Sequence, residues 1–294
     1  MSAPLKLAGF AAALALVFGA AAAVGNAFGP LRDTDSEAAP EHGGEMGAME
    51  TSGGAGGHAE EGGHGAVQAV RGLAVSEDGL SLRLATATAP VGRTVPLRFR
   101  VVEDDGATVK EFDVEHTKRM HVIVVRRDLT GFQHLHPTQA ADGEWSVPLR
   151  LTEPGTYRVF ADFSRDGTPR TLAADLQADG PVRSQPLPAP ETRATADGYE
   201  VRLAGAPARA GQEAELEFTV TRDGRPVAVE DYLGAKGHLV ALREGDLAFL
   251  HVHPDEDRLR FMATFPSAGS YRLFLQFQVD GEVHTAAFTE EVSR

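Results

Sequence analysis

Cysteine is absent from this 294-residue chain. That excludes a disulfide framework, a thiolate metal site, a Cys nucleophile and a blue-copper centre, which needs a thiolate ligand. Without disulfides, the fold must be held by core packing alone. Positive charge is scarce, with 28 Lys and Arg against 42 Asp and Glu and a formal net charge of −14. Such a chain repels nucleic acid and anionic membrane surfaces and suits cations. The sequence contains no Gly-rich phosphate loop, no Gly-x-Ser-x-Gly, no His-Glu-x-x-His and no defensible Ser/His/Asp arrangement, so no enzymatic activity is expected. Tryptophan occurs once, at Trp145, where a core position is expected.

What is present points to β architecture. Hydrophobic residues make up 42% of the chain, enough for real cores, and 32 Gly with 17 Pro imply many turns. Lys6 precedes an apolar run from Leu7 to Phe28, long enough to cross a bilayer. Residues 1–29 are therefore read as a membrane anchor, although the small residues at Ala21–Ala23 and Gly25–Ala27 leave a cleaved signal peptide open. No Lys or Arg lies between Arg32 and Arg71, so the rest of the chain is expected outside the cytoplasm, on a single-pass anchor in the cytoplasmic membrane or secreted. Residues 30–67 carry eight carboxylates against Arg32 alone and almost no aromatic or β-branched residues, which predicts a disordered acidic arm. His42, Met46, Met49, His58 and His64 in this arm offer imidazole and thioether ligands at irregular spacing, a weak metal signal beside the reading of a solvated spacer.

The remainder repeats itself. Residues 116–137 and 233–254 both contain His-x12-His-x-His-Pro: His121, His134, His136 and Pro137, then His238, His251, His253 and Pro254. The match extends upstream to LRFRV (97–101) and LEFTV (216–220), and downstream to PGTYRVF (154–160) and AGSYRLF (268–274). Two units follow, 68–179 and 191–294, with a Pro-rich linker over 180–190. In the first unit, apolar runs between turn residues predict strands near 80–86, 95–103, 119–126, 131–136, 144–151, 156–163 and 170–177. Seven short strands without a helix predict tandem immunoglobulin-like, Greek-key β-sandwiches, and Gly-x-Tyr before a strand resembles a tyrosine corner.

The hairpin arithmetic suggests a site. With the turn at Arg127-Asp128, His121 falls opposite His134, and His136, two residues on, shares their face. The same holds for His238, His251 and His253. Three imidazoles on one patch of sheet suit Zn²⁺ with water, or Cu²⁺ with open positions. The other reading is a set of structural histidines in an apolar strand, copied by duplication. Met120 points away from this face and is assigned to packing, while His116 and His284 are expected at the surface.

The HLHP and HVHP segments, with the PGTYRVFADF that follows the first, resemble bacterial exported proteins described as heavy-metal-binding or YtkA-like, with an architectural link to CopC-like sandwiches. The resemblance covers about residues 70–292 and implies an immunoglobulin-like fold and copper handling outside the cytoplasm. Only the three His of each unit carry over, since the N-terminal His of CopC-like proteins has no counterpart here. The expectation is a non-enzymatic metal-binding protein, copper first and zinc second, that buffers or chaperones the ion, with a membrane transporter or oxidase-assembly protein as partner. The alternatives are an adhesion or assembly module with structural His, or an accessory subunit of a membrane complex.

Overall fold

The computed structural model describes residues 70–252 and 258–294, with the backbone but not the side chain of His251. The expected anchor or signal, the arm with His42, Met46, Met49, His58 and His64, and His253 lie outside the described residues. The described residues are all β, with no helix among them. The first repeat contributes β1 (Ser76–Glu77), β2 (Leu80–Leu84), β3 (Thr94–Glu103), β4 (His121–Arg126), β5 (Gln133–Leu135), β6 (Thr138–Gln139), β7 (Trp145–Arg150), β8 (Gly155–Arg165) and β9 (Thr168–Ala178). The second contributes β10 (Arg193–Ala196), β11 (Tyr199–Ala204), β12 (Glu213–Arg222), β13 (Arg225–Pro226), β14 (Gly237–Arg243), β15 (Phe249–Val252), β16 (Arg260–Thr264), β17 (Gly269–Val279) and β18 (Glu282–Val292).

Each repeat is two antiparallel sheets. In the first, β1-β2-β3-β7-β6 lies against β5-β4-β8-β9. In the second, β10-β11-β12, extended by β13 and β16, lies against β15-β14-β17-β18. The non-sequential pairs β3–β7 and β4–β8 recur as β12–β16 and β14–β17, which is the crossing of an immunoglobulin-like sandwich. Alternation builds the cores: on β3, Leu97, Phe99 and Val101 point inward while Arg98 and Arg100 face outward. Trp145 lies in the first core with Phe99 and Phe112 at ring distances of 6.5 and 5.3 Å. Both tyrosine corners form, with Tyr157 donating to the Glu153 carbonyl at 2.8 Å and Tyr271 to the Ser267 carbonyl at 3.0 Å.

Strands β4 and β14 depart from alternation. Their runs HVIVVR and GHLVALR are buried almost throughout, because both faces are covered. Val122 and Val124 enter the core of the first sandwich, while Ile123 and Val125 enter a third apolar cluster with Val240, Leu242, Phe160, Phe249 and Phe274. This cluster joins the repeats. Phe160 packs on Phe249 at 5.1 Å and Phe132 stacks on Phe274 at 4.1 Å. Phe132 and Phe249 hold equivalent places in the two repeats, as do Phe160 and Phe274, so the two contacts are one contact seen from each side. The repeats meet as the halves of a two-fold interface do.

Two further devices fix this arrangement. Before β1, Gly72 N–H donates to Thr171 O at 3.2 Å, and Phe249 N–H of the second repeat donates to Arg71 O at 3.0 Å. The linker is tied back to the first repeat by a buried ion pair. Arg126 Nε and Nη2 donate to both oxygens of Asp128 at 2.9 and 2.7 Å, and Asp128 also accepts from the Gln185 amide at 2.9 Å. Burial acts to raise the Asp128 carboxyl, but the bonds from Arg126, Gln185 and Thr130 outweigh it and bring its pKa down to about 2.

Candidate metal centre

The site begins with a hairpin whose register differs from the symmetric expectation. Val122 pairs with Leu135 and Ile123 with His134, so the position opposite His121 is 136, and His134 faces Ile123. The second repeat has the same register, with Leu239 opposite Val252 and Val240 opposite His251. The shift arises in the turn. Leu129 N–H donates to Arg126 O at 2.8 Å, and Leu129 and Gly131 adopt φ of 65° and 64°, adding residues to the β5 side. A shift of two leaves the side-chain face unchanged, so His121, His134 and His136 still share one face.

The three rings converge. One nitrogen from each of His121, His134 and His136 can be chosen so that all lie within 4.8 Å of one another. Ring centroids are 5.3, 5.0 and 4.7 Å apart. His121 Nδ1 faces His134 Nε2 at 3.1 Å. Two nitrogens held at 2.0–2.1 Å by a tetrahedral Zn²⁺ stand roughly 3.3 Å apart, so this spacing already approaches a coordination edge. The remaining nitrogens set the tautomers. His134 Nδ1 lies 2.7 Å from Gln276 Oε1, and His121 Nε2 lies 3.5 Å from the Glu115 carbonyl. His238 repeats the second relation, its Nε2 being 3.1 Å from the Tyr232 carbonyl. The Gln276 oxygen calls for N–H on His134 Nδ1, which turns the lone pair of His134 Nε2 towards the centre. There it can accept from His121 Nδ1–H, and a divalent ion would take the place of that proton.

The patch is not an open sheet surface, and His238 of the second repeat lies beside it. His121 and His134 are buried and His136 half-buried, on the face that meets the second repeat. The rings of His121 and His134 lie 6.2 and 5.9 Å from that of His238. Continuous apolar runs rather than alternation at VIVV and LVAL were the sequence signal for a strand covered on both sides. His116 is not a free surface residue either; it packs edge-on against His238 at 5.6 Å. His284 is buried, 4.7 Å from the Tyr199 ring, with Nδ1 2.9 Å from Asp197. Met120 is core, as its facing predicts.

Residues not singled out in the sequence complete the site. His121 stands opposite Asp162 on β8, and Asp162 opposite Thr171 on β9. The equivalent rung is His238, Gln276 and Thr285. Thr171 Oγ1 donates to Asp162 at 2.6 Å. Asp162 and Gln276 are single polar residues two places after Phe160 and Phe274, in otherwise apolar stretches of strand, and that polarity was the available signal. Tyr232 lies against His238 at 5.4 Å, and burial raises its phenol above the ordinary range, keeping it neutral.

Among solved structures, the chain is similar to the Escherichia coli adhesin FdeC, at 16% identity and a TM-score of 0.27, covering 75% of this chain and 66% of that one. It is also similar to Salmonella alpha-2-macroglobulin reacted with methylamine, at 13% identity and a TM-score of 0.28, covering 76% of this chain and 15% of that one. The chain thus spans less than two thirds of either structure's length. No curated protein matches it. The family model described as a domain of unknown function, DUF8832, matches twice, over residues 74–180 and 194–294, and the protein belongs to that family, carrying its domain in tandem.

Proposed function

We propose that this protein is a non-enzymatic metal-binding protein that holds a divalent ion, Cu²⁺ first and Zn²⁺ second, on His121, His134 and His136. The observation that carries the reading is the convergence of three imidazole nitrogens within 4.8 Å. A nitrogen-only, cysteine-free ligand set suits Cu²⁺ or Zn²⁺ better than Cu⁺. His136, half-buried, is the ligand through which an exchanging ion reaches solvent. The acidic chain favours a cation partner, and the His and Met of the arm serve as a capture segment. The setting is the outer face of the cytoplasmic membrane, where the protein buffers the ion or passes it to a membrane transporter or an oxidase-assembly protein. In the second repeat the same sequence spacing offers His238, His251 and His253 as the corresponding ligands.

The test is metal analysis and titration of the full chain beside a His136→Ala variant. The loss of one bound ion, with thermal stability close to wild type, supports the reading. Unchanged stoichiometry refutes it. A second reading, a paired sandwich module with structural histidines, is favoured by the burial of His121 and the contact of His134 with Gln276. That reading predicts unchanged metal content in every His variant and a stability loss on changing His134.

A further inference from the structure

Gln276 reaches the first repeat's histidines from the second repeat, and its side chain is held in one orientation. On its own rung it lies between His238 and Thr285, with Nε2 donating to Thr285 Oγ1 at 3.4 Å. That bond turns the amide so that Oε1 faces His134 Nδ1 at 2.7 Å. Gln276 is buried, so no bulk water competes for the contact. An amide oxygen only accepts, so Nδ1 carries the proton, and Nε2, the atom 3.1 Å from His121 Nδ1, is left as the ligand atom. The choice of tautomer on a metal-facing imidazole is set by the hydrogen bond at its other nitrogen.

We infer that Gln276 is the positioning residue of the first repeat's metal site, so that docking of the second repeat makes the site competent. The inference rests on the metal reading above and adds that the site belongs to the paired repeats rather than to either alone. An ion arriving at undocked repeats would meet His134 free to rotate and to present either nitrogen. In the docked protein that freedom is already lost before the ion binds, and the ion gains the difference as affinity.

The test is Zn²⁺ titration of the full chain, together with ¹⁵N NMR of the imidazoles in metal-free protein, with His134 assigned by comparison with His134→Ala. Gln276→Leu removes the acceptor and is expected to weaken the first repeat's Zn²⁺ affinity roughly 10–100-fold, the range for loss of an outer-sphere partner. It should also change the His134 signal from a fixed Nδ1–H tautomer to a mixture. Gln276→Glu retains an acceptor and should keep both the affinity and the tautomer. Thr285→Val, at an exposed position, releases the amide without disturbing the core, and it should produce a smaller shift in the same direction even if Gln276→Leu fails to fold. Wild-type affinity in Gln276→Leu, or a His134 Nδ1–H signal that persists there, overturns this inference and leaves the metal reading standing. Wild-type protein that takes up neither Zn²⁺ nor Cu²⁺ overturns both.

Discussion

Replacing Phe249 by Ala in the second repeat should destabilise the first, and the single tryptophan can report it. Phe249 is 4% exposed and packs on the fully buried Phe160 across the repeat boundary. Truncating a buried Phe costs about 3–5 kcal/mol, through lost transfer energy and the cavity left behind. If the shared apolar cluster makes the repeats one cooperative unit, the full cost appears wherever unfolding is observed. Trp145 lies in the core of the first repeat, so its fluorescence follows that repeat alone. For a body of this size a urea m-value of roughly 3 kcal/mol/M is expected, so the Trp145 midpoint should fall by about 1–1.7 M. The double variant Phe160→Ala/Phe249→Ala should show a coupling of about 0.5–1.5 kcal/mol, the range for an aromatic pair in contact. A Trp145 midpoint unmoved by Phe249→Ala, with the far-UV signal splitting into two transitions, would refute the idea that the repeats fold and unfold as one body.

Asp128 predicts a defined acid sensitivity. Its carboxyl is depressed from 3.8 to about 2, so it contributes stability in full above about pH 4 and loses it as pH falls through about 2. The shift corresponds to about 2 kcal/mol, which Asp128→Asn should remove from the acid limb of the stability–pH curve. Tyr157→Phe removes one hydrogen bond to the Glu153 carbonyl and should cost about 1 kcal/mol in chemical denaturation. Gly72 has φ of 74°, and a Cβ there would lie 2.6 Å from Phe249 Cβ, so Gly72→Ala should lower Tm by several degrees in calorimetry.

Much of this architecture is legible in the chain. The strands predicted near 95–103, 144–151 and 156–163 fall on β3, β7 and β8, because each carries period-two alternation or a β-branched run between turn residues. The shared face of His121, His134 and His136 follows from parity alone and survives a register shift of two. The shift itself depends on left-handed backbone at Leu129, a residue type that does not announce that conformation. The meeting of His238 with His121 and His134 is a property of three-dimensional packing, which one strand's spacing does not encode. Gln276 belongs to the site only because a surface more than a hundred residues away in sequence is turned towards it.

The reciprocal pairing of Phe160 with Phe249 and Phe132 with Phe274 has an ancestral consequence. Surfaces that match in this way are those of two identical subunits, and here a single polypeptide supplies both. In a dimer of identical subunits, any substitution appears on both sides of the axis at once. Joining the halves lets the sides diverge. Asp162 now faces its rung where Gln276 faces the other, His116 stands where Leu233 does, and Arg170 where His284 does. Within one chain the two sides are free to differ, so that His121 has a carboxylate, Asp162, opposite it on its rung and His238 has an amide, Gln276.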